Sequence, residues 1–141
     1  MYRNILVPID PEHGPVGARI LAVAQRLSGG EGQITLLTVV PSIPAHISVH
    51  VGPEMITRHL ANARAELEAL AQTNGLPASA VVVREGGASS TILDEAATIK
   101  ADAIVLGSHR PDFTDYLLGS TSARVVRHAR CTVVVERSAP V

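Results

Sequence analysis

Five short apolar runs, most of them closed by proline or glycine, constrain this chain more than any other feature. They fall at residues 3–9, 34–40, 81–84, 103–106 and 132–135, and the chain between them leaves room for a helix each time. None shows a strict polar/apolar alternation, so both faces of each strand are buried, as in a parallel sheet covered by helices on both sides. The intervening segments carry helical spacing. Val16, Ile20, Val23 and Leu27 recur between Gly14-Pro15 and Ser28-Gly29-Gly30. Ile56, Leu60, Ala63, Leu67 and Leu70 form a stripe over residues 54–74, closed by Asn74-Gly75 and Pro77. A third helix follows Gly86-Gly87, capped by Ser89 or Ser90, with Ile92, Ala96 and Ile99 inward. A fourth spans residues 120–129. The alternation predicts one three-layer, doubly wound α/β domain over residues 1–141, with a five-stranded parallel sheet and right-handed crossovers. Residues 41–53, with three prolines and a glycine, read as a loop long enough to serve as a cover.

Composition narrows the function. Aromatic residues make up 2% of the chain, so the core is built from Val, Ile, Leu and Ala. Twelve Lys and Arg against thirteen Asp and Glu offer no electrostatic footprint for nucleic acid. Tyr2, Phe113 and Tyr116 are too few to stack on single strands. A single cysteine, Cys131, excludes an internal disulfide and a cysteine-based zinc site. No apolar run approaches the ~20 residues of a membrane span, and the run from Met1 to Asp10 lacks the pattern of a signal peptide. The expected compartment is the cytoplasm.

The stretch GSHRPDFTDYLLGST, residues 107–121, carries the chemistry. Gly107 leaves the backbone bare at the tip of the fourth strand. Gly119-Ser120-Thr121 opens the last helix, whose first amides lack intrahelical partners and carry the positive end of the dipole. His109 and Arg110 can add charge-assisted bonds to an anion, and Asp10 at the tip of the first strand can meet a ribose hydroxyl or a phosphate-borne metal. In an open parallel sheet such tips face the ligand crevice. No Walker-type G-x-x-x-x-G-K-[ST] is present, and no G-x-G-x-x-G follows the first strand. The one lysine, Lys100, falls at a helix end, away from catalytic use.

Other residues have bland readings. His46 and His50 are four apart but lie in a proline-bearing loop that argues against a helical metal site. His59 flanks the core stripe of its helix. Arg124, Arg127, His128 and Arg130 suit a helix carboxyl end. Cys131 reads as a small buried hydrophobe.

The opening run, the Gly107…Gly119-Ser120 segment, the SHRPD and YLLGS stretches and the ending VVRHARCTVVVER together resemble the universal stress protein family along essentially the whole chain, and within it the small single-domain ATP-binding subclass. That resemblance implies strand order 3-2-1-4-5, the fold of the adenine nucleotide alpha hydrolases, with the crevice between strands one and four. It implies ATP as ligand, with Mg2+. Pro8, Ile9 and Asp10 then match the nucleoside-contacting loop, and Val39 or Val40 the backbone beside adenine. Leu106, Gly107, His109 and Arg110 match the first half of the phosphate motif, and Gly119, Ser120 and Thr121 the second. The family motif G-x-x-G-x9-G-[ST] is altered: Arg110 replaces its second glycine, and eight residues separate Arg110 from Gly119. Pro111 biases Arg110 toward extended backbone, and the guanidinium is expected to reach the phosphates. The fifth strand, Thr132 to Glu136, is expected at the sheet edge, pairing with its copy in a homodimer.

Three functions fit: a nucleotide-dependent switch or protectant in the stress response, a slow ATPase or self-phosphorylating protein accepting at Ser120 or Thr121, and a dimeric interaction module with a degenerate site. No positioned general base is visible in the sequence, so binding without efficient catalysis is the favoured expectation.

Overall fold

A computed structural model of the chain describes residues 1–10, 14–42, 45–48, 50, 52–108 and 119–137. The elements are β1 (Asn4–Pro8), α1 (Gly14–Ser28), β2 (Gln33–Val40), α2 (Ala45–Ser48), α3 (Pro53–Thr73), a 3-10 turn (Ala78–Ala80), β3 (Val81–Glu85), α4 (Ala88–Thr98), β4 (Ala103–Gly107), α5 (Ser120–His128) and β5 (Thr132–Glu136). Every strand pair is parallel, and the order across the sheet is β3-β2-β1-β4-β5.

Side-chain alternation divides the core into two layers. Ile5 and Val7 of β1, Leu36 of β2, and Ala103 and Val105 of β4 pack on Ile20, Leu21 and Ala24 of α1 and on Leu67 and Ala71 of α3. Leu6, Leu37, Ile104 and Leu106 turn the other way, onto Ile92 and Ala96 of α4 and Val125 of α5. Both faces of the inner strands are therefore dry, which is why their sequences lack polar alternation.

β1 and β4 pair although about a hundred residues separate them, with Ile5 opposite Ala103 and Leu6 opposite Ile104. A polar lock holds this pairing at the amino-terminal edge of the sheet. The Asp102 carboxylate accepts the backbone amides of Arg3 (2.8 Å) and Asn4 (2.9 Å). The Asp102 amide returns a 2.9 Å bond to the Asn4 carbonyl, and the Asn4 side-chain amide donates to the carbonyls of Ile99 and Lys100.

Several details differ from expectation. No serine caps α4: Gly87 occupies the N-cap, and the Ser90 hydroxyl donates back to the Gly87 carbonyl at 3.2 Å. Gly86, at φ 151°, leaves no room for a Cβ, which would lie 2.7 Å from the Thr91 hydroxyl oxygen. Among its described residues the 41–53 segment contains a helical turn, α2, and the His50 amide bonds the Ile47 carbonyl at 2.9 Å. The core reaches α3 only through Leu67, Leu70 and Ala71, while Ile56, Leu60 and Ala63 are half-buried and His59 is exposed. Cys131 is half-buried, at the margin of the α4/α5 layer. Glu95, on the apolar stripe of α4, is buried and meets the Arg84 guanidinium at 3.3 Å.

Candidate functional site

The reversal of strand order between β1 and β4 leaves a crevice at the carboxyl ends of the sheet, the place where doubly wound proteins take ligands. Its volume is about 350 Å³, within the size range of small-molecule pockets. Each wall has a local cause.

On one side stands the tip of β1. Pro8 ends the strand because it has no amide to donate. Beyond it, Ile9 is held by its own amide to the Leu37 carbonyl (2.7 Å) and by the Thr38 hydroxyl, which donates to the Ile9 carbonyl at 2.9 Å. Thr38 is buried, so this bond forms away from water. Asp10 follows directly, exposed and lining the crevice. Gly17 of α1 lies beneath Ile9: a Cβ there would sit 3.2 Å from the Ile9 Cγ2 methyl, so a bare backbone lets α1 approach the β1 tip.

On the other side stands the tip of β4. A Cβ on Gly107 would fall 2.9 Å from the Ile20 Cδ1 atom. Packing of α1 against β4 thus accounts for this glycine independently of any ligand. The Gly107 carbonyl accepts the buried Ser122 hydroxyl at 2.9 Å, which ties the first turn of α5 to the end of β4. Gly119 is the N-cap of α5, with extended backbone and no side-chain cap, and its carbonyl takes the Ala123 amide at 2.9 Å. The amides of Ser120, Thr121 and Ser122 precede the first intrahelical acceptor and have none within the helix. Thr121 and Ser122 line the crevice.

Of the residues singled out in the sequence, Pro8, Ile9, Asp10, Val39, Leu106, Gly107 and Thr121 line this crevice together. Gly119 and Ser120 stand beside it at the start of α5 without lining it. Val40 lies at the end of β2, where its carbonyl accepts the Gly86 amide at 3.0 Å. His109 and Arg110 lie outside the described residues. The structure adds Thr38 and Ser122, whose hydroxyls fix the two tips, and an apolar wall of Val16, Ile20, Leu37, Pro41, Ala88 and Ile92.

Displaced pKa values occur at the opposite edge. Asp102 is pulled upward by burial, but the Arg3 and Asn4 amides outweigh this and hold its carboxyl below the ordinary range. Burial, then the Asp102 charge, pushes the Cys131 thiol up. Among the described residues no three His, Cys, Asp or Glu side chains gather as a metal site, and no helix is long and apolar enough to cross a membrane.

A parallel five-stranded sheet in this order, with its cleft at the β1/β4 reversal and a helix amino terminus beside it, defines a Rossmann-like α/β protein. The model of the universal stress protein family matches residues 1–137, and the chain belongs to that family, which carries a role in the stress response. It is 31% identical to universal stress protein G of Salmonella typhimurium over 97% of this chain and 100% of that one. A Methanothermobacter thermautotrophicus universal stress protein is 28% identical over 98% of this chain and 97% of the relative. Among solved structures, universal stress protein UspA from Lactobacillus plantarum superposes with a TM-score of 0.76 at 26% identity, covering 96% of this chain and 98% of that one. A universal stress protein in complex with cAMP superposes with a TM-score of 0.58 at 22% identity, over 96% of this chain and 97% of the other.

Proposed function

We propose that this protein is an adenine-nucleotide-binding member of its family that acts in the stress response as a nucleotide-dependent switch or protectant, with ATP as its ligand. The observation that carries this reading is the bond from the Ser122 hydroxyl to the Gly107 carbonyl, which sets the amino terminus of α5 against the tip of β4 at the mouth of the crevice. Three amides without intrahelical acceptors and the dipole of α5 then favour a phosphate chain there. The apolar wall that includes Val39, Pro41 and Ile92 suits a base. Asp10, exposed at the β1 tip, suits the ribose hydroxyls. In this reading His109 and Arg110 add positive charge to the phosphate side.

Mg2+ would arrive with the phosphates: Asp10 is the one carboxylate among the described lining residues, too few oxygens for a dedicated protein cage. The structural relative in complex with cAMP supports adenine nucleotide as the recognised class. The edge position of β5, beside β4 alone among the described strands, supports a homodimer joined through Thr132 to Glu136. The cytoplasm is the compartment that suits this role.

Calorimetric titration with ATP, ADP, AMP and cAMP tests the reading. Binding of ATP with and without Mg2+ is expected, weakened at least tenfold by Thr121→Trp, which fills the crevice mouth. Absence of heat for all four nucleotides at millimolar concentration would overturn it.

A further inference from the structure

A second cavity lies at the opposite end of the sheet, on the α4/α5 side, where α4 and α5 finish and β4 and β5 begin. Its volume is about 330 Å³, again within the range of small-ligand sites. We propose that it binds a small organic carboxylate with an apolar body. The geometry is two-part. Leu93, Ala96, Ala101, Ile104 and Cys131 give an apolar floor, and Lys100, His128 and Arg130 give an exposed rim of basic side chains.

Stabilising a helix carboxyl end is the ordinary use of such cations. His128 and Arg130 stand at the end of α5, where that use applies, but α4, which Lys100 follows, does not need it. Its last carbonyls are already satisfied: Glu95 by the Ile99 amide (3.0 Å), Ala96 by the Ala101 amide (2.9 Å) and Ala97 by the Lys100 amide (3.2 Å). The Asn4 side chain donates to the carbonyls of Ile99 and Lys100. Nor are the cations matched elsewhere. Among the described residues, the side chains of Lys100, His128 and Arg130 make no ion pair or hydrogen bond. Asp102, whose charge reaches Cys131, is engaged by the amides of Arg3 and Asn4.

Lys100 adds a separate observation. It is the only lysine in the chain, and it sits at φ 56°, the left-handed conformation in which helices commonly end on glycine. A lysine held in a strained conformation at the lip of an apolar cavity points to a use for its charge. A carboxylate can meet the rim while its apolar body displaces water from the floor. Phosphate esters with two charges and no apolar part would gain little from that floor.

Cys131 supplies the readout, since it is the only cysteine and lines the cavity. The intact protein is reacted with N-ethylmaleimide, and adduct formation is followed by mass spectrometry with octanoate, 1-octanol or acetate present. Octanoate is expected to slow labelling at least fivefold, octanol less, and acetate not at all. Lys100→Gly, which relieves the strained backbone, should fold at least as well as the parent and bring octanoate protection down to the octanol level. Ala97→Trp, on the rim, should abolish protection. Equal protection by octanoate and octanol, none by octanoate, or full protection surviving in both variants would overturn the proposal. The same protection is expected with and without ATP, so the outcome is independent of the nucleotide reading.

Discussion

Replacing Ser122 by alanine removes the hydroxyl that ties the start of α5 to the end of β4. Ser122 is 2% exposed, and its Oγ lies 2.9 Å from the Gly107 carbonyl oxygen. A neutral hydrogen bond of this kind contributes about 1 kcal/mol net, and leaving its buried partner unsatisfied raises the cost toward 3 kcal/mol. The void left by one oxygen is too small to add much, and water can approach Gly107 from the crevice. We therefore expect a loss of about 1–2 kcal/mol. Over 141 residues, that loss lowers the melting temperature by about 3–7 °C. Urea denaturation should show a lower midpoint with an unchanged slope, since the surface exposed on unfolding stays the same. If the hydroxyl also positions the α5 amides, ATP affinity should fall alongside stability, and Ser122→Thr should restore both where the extra methyl is accommodated. A Ser122→Ala variant as stable as the parent would refute the claim that this bond joins the two halves of the site.

Three further outcomes follow from packing and charge. Gly107→Ala should cost about 1 kcal/mol, because the Ile20 Cδ1 atom 2.9 Å from the new Cβ can swing aside. Gly107→Val should cost about 3 kcal/mol, read by the same urea assay. Lys100→Gly should raise stability by about 1 kcal/mol by removing a left-handed conformation from a residue with a Cβ. Asp102 has its carboxyl held below the ordinary range by two backbone amides, so its contribution is present above the ordinary carboxylate pKa and fades as pH falls through the folded value. Asp102→Asn should therefore lower stability near neutrality and flatten its decline below about pH 5, measured by denaturation midpoints across that range.

The layers of the fold were legible because both faces of the inner strands are buried, leaving unbroken apolar runs such as Ile5 to Val7 and Ala103 to Leu106. The strand order was not in that periodicity: β1 pairs with β4 across about a hundred residues, and the Asp102 carboxylate that braces this edge at the amides of Arg3 and Asn4 does so across 98 or more positions, which no local pattern reports. It came instead from family resemblance. Within the site, glycines and charged residues stood out while the hydroxyls that hold it together did not. Thr38 is one of two threonines in β2, and its interruption of the run Leu36 to Val40 was the only hint. Ser122 is the third hydroxyl in Ser120-Thr121-Ser122, and its spacing of three from Val125 marks it as the inward one. Ser89 and Ser90 misled for the converse reason: serine favours caps, but Gly87 already supplied the extended backbone that α4 needs at its start. Glu95 was overlooked because an acid on an apolar stripe looks like surface until Arg84 is seen across from it.

The crevice at the β1/β4 reversal is the centre of this account, and amide chemical-shift mapping with ATP addresses it directly. Shifts concentrated at Ile9, Asp10, Val39, Gly107 and Gly119 to Ser122 are predicted, with Leu93, Lys100 and Cys131 at the far end of the sheet unmoved. Saturable shifts gathered at that far end instead, or none at all with millimolar ATP, would contradict it.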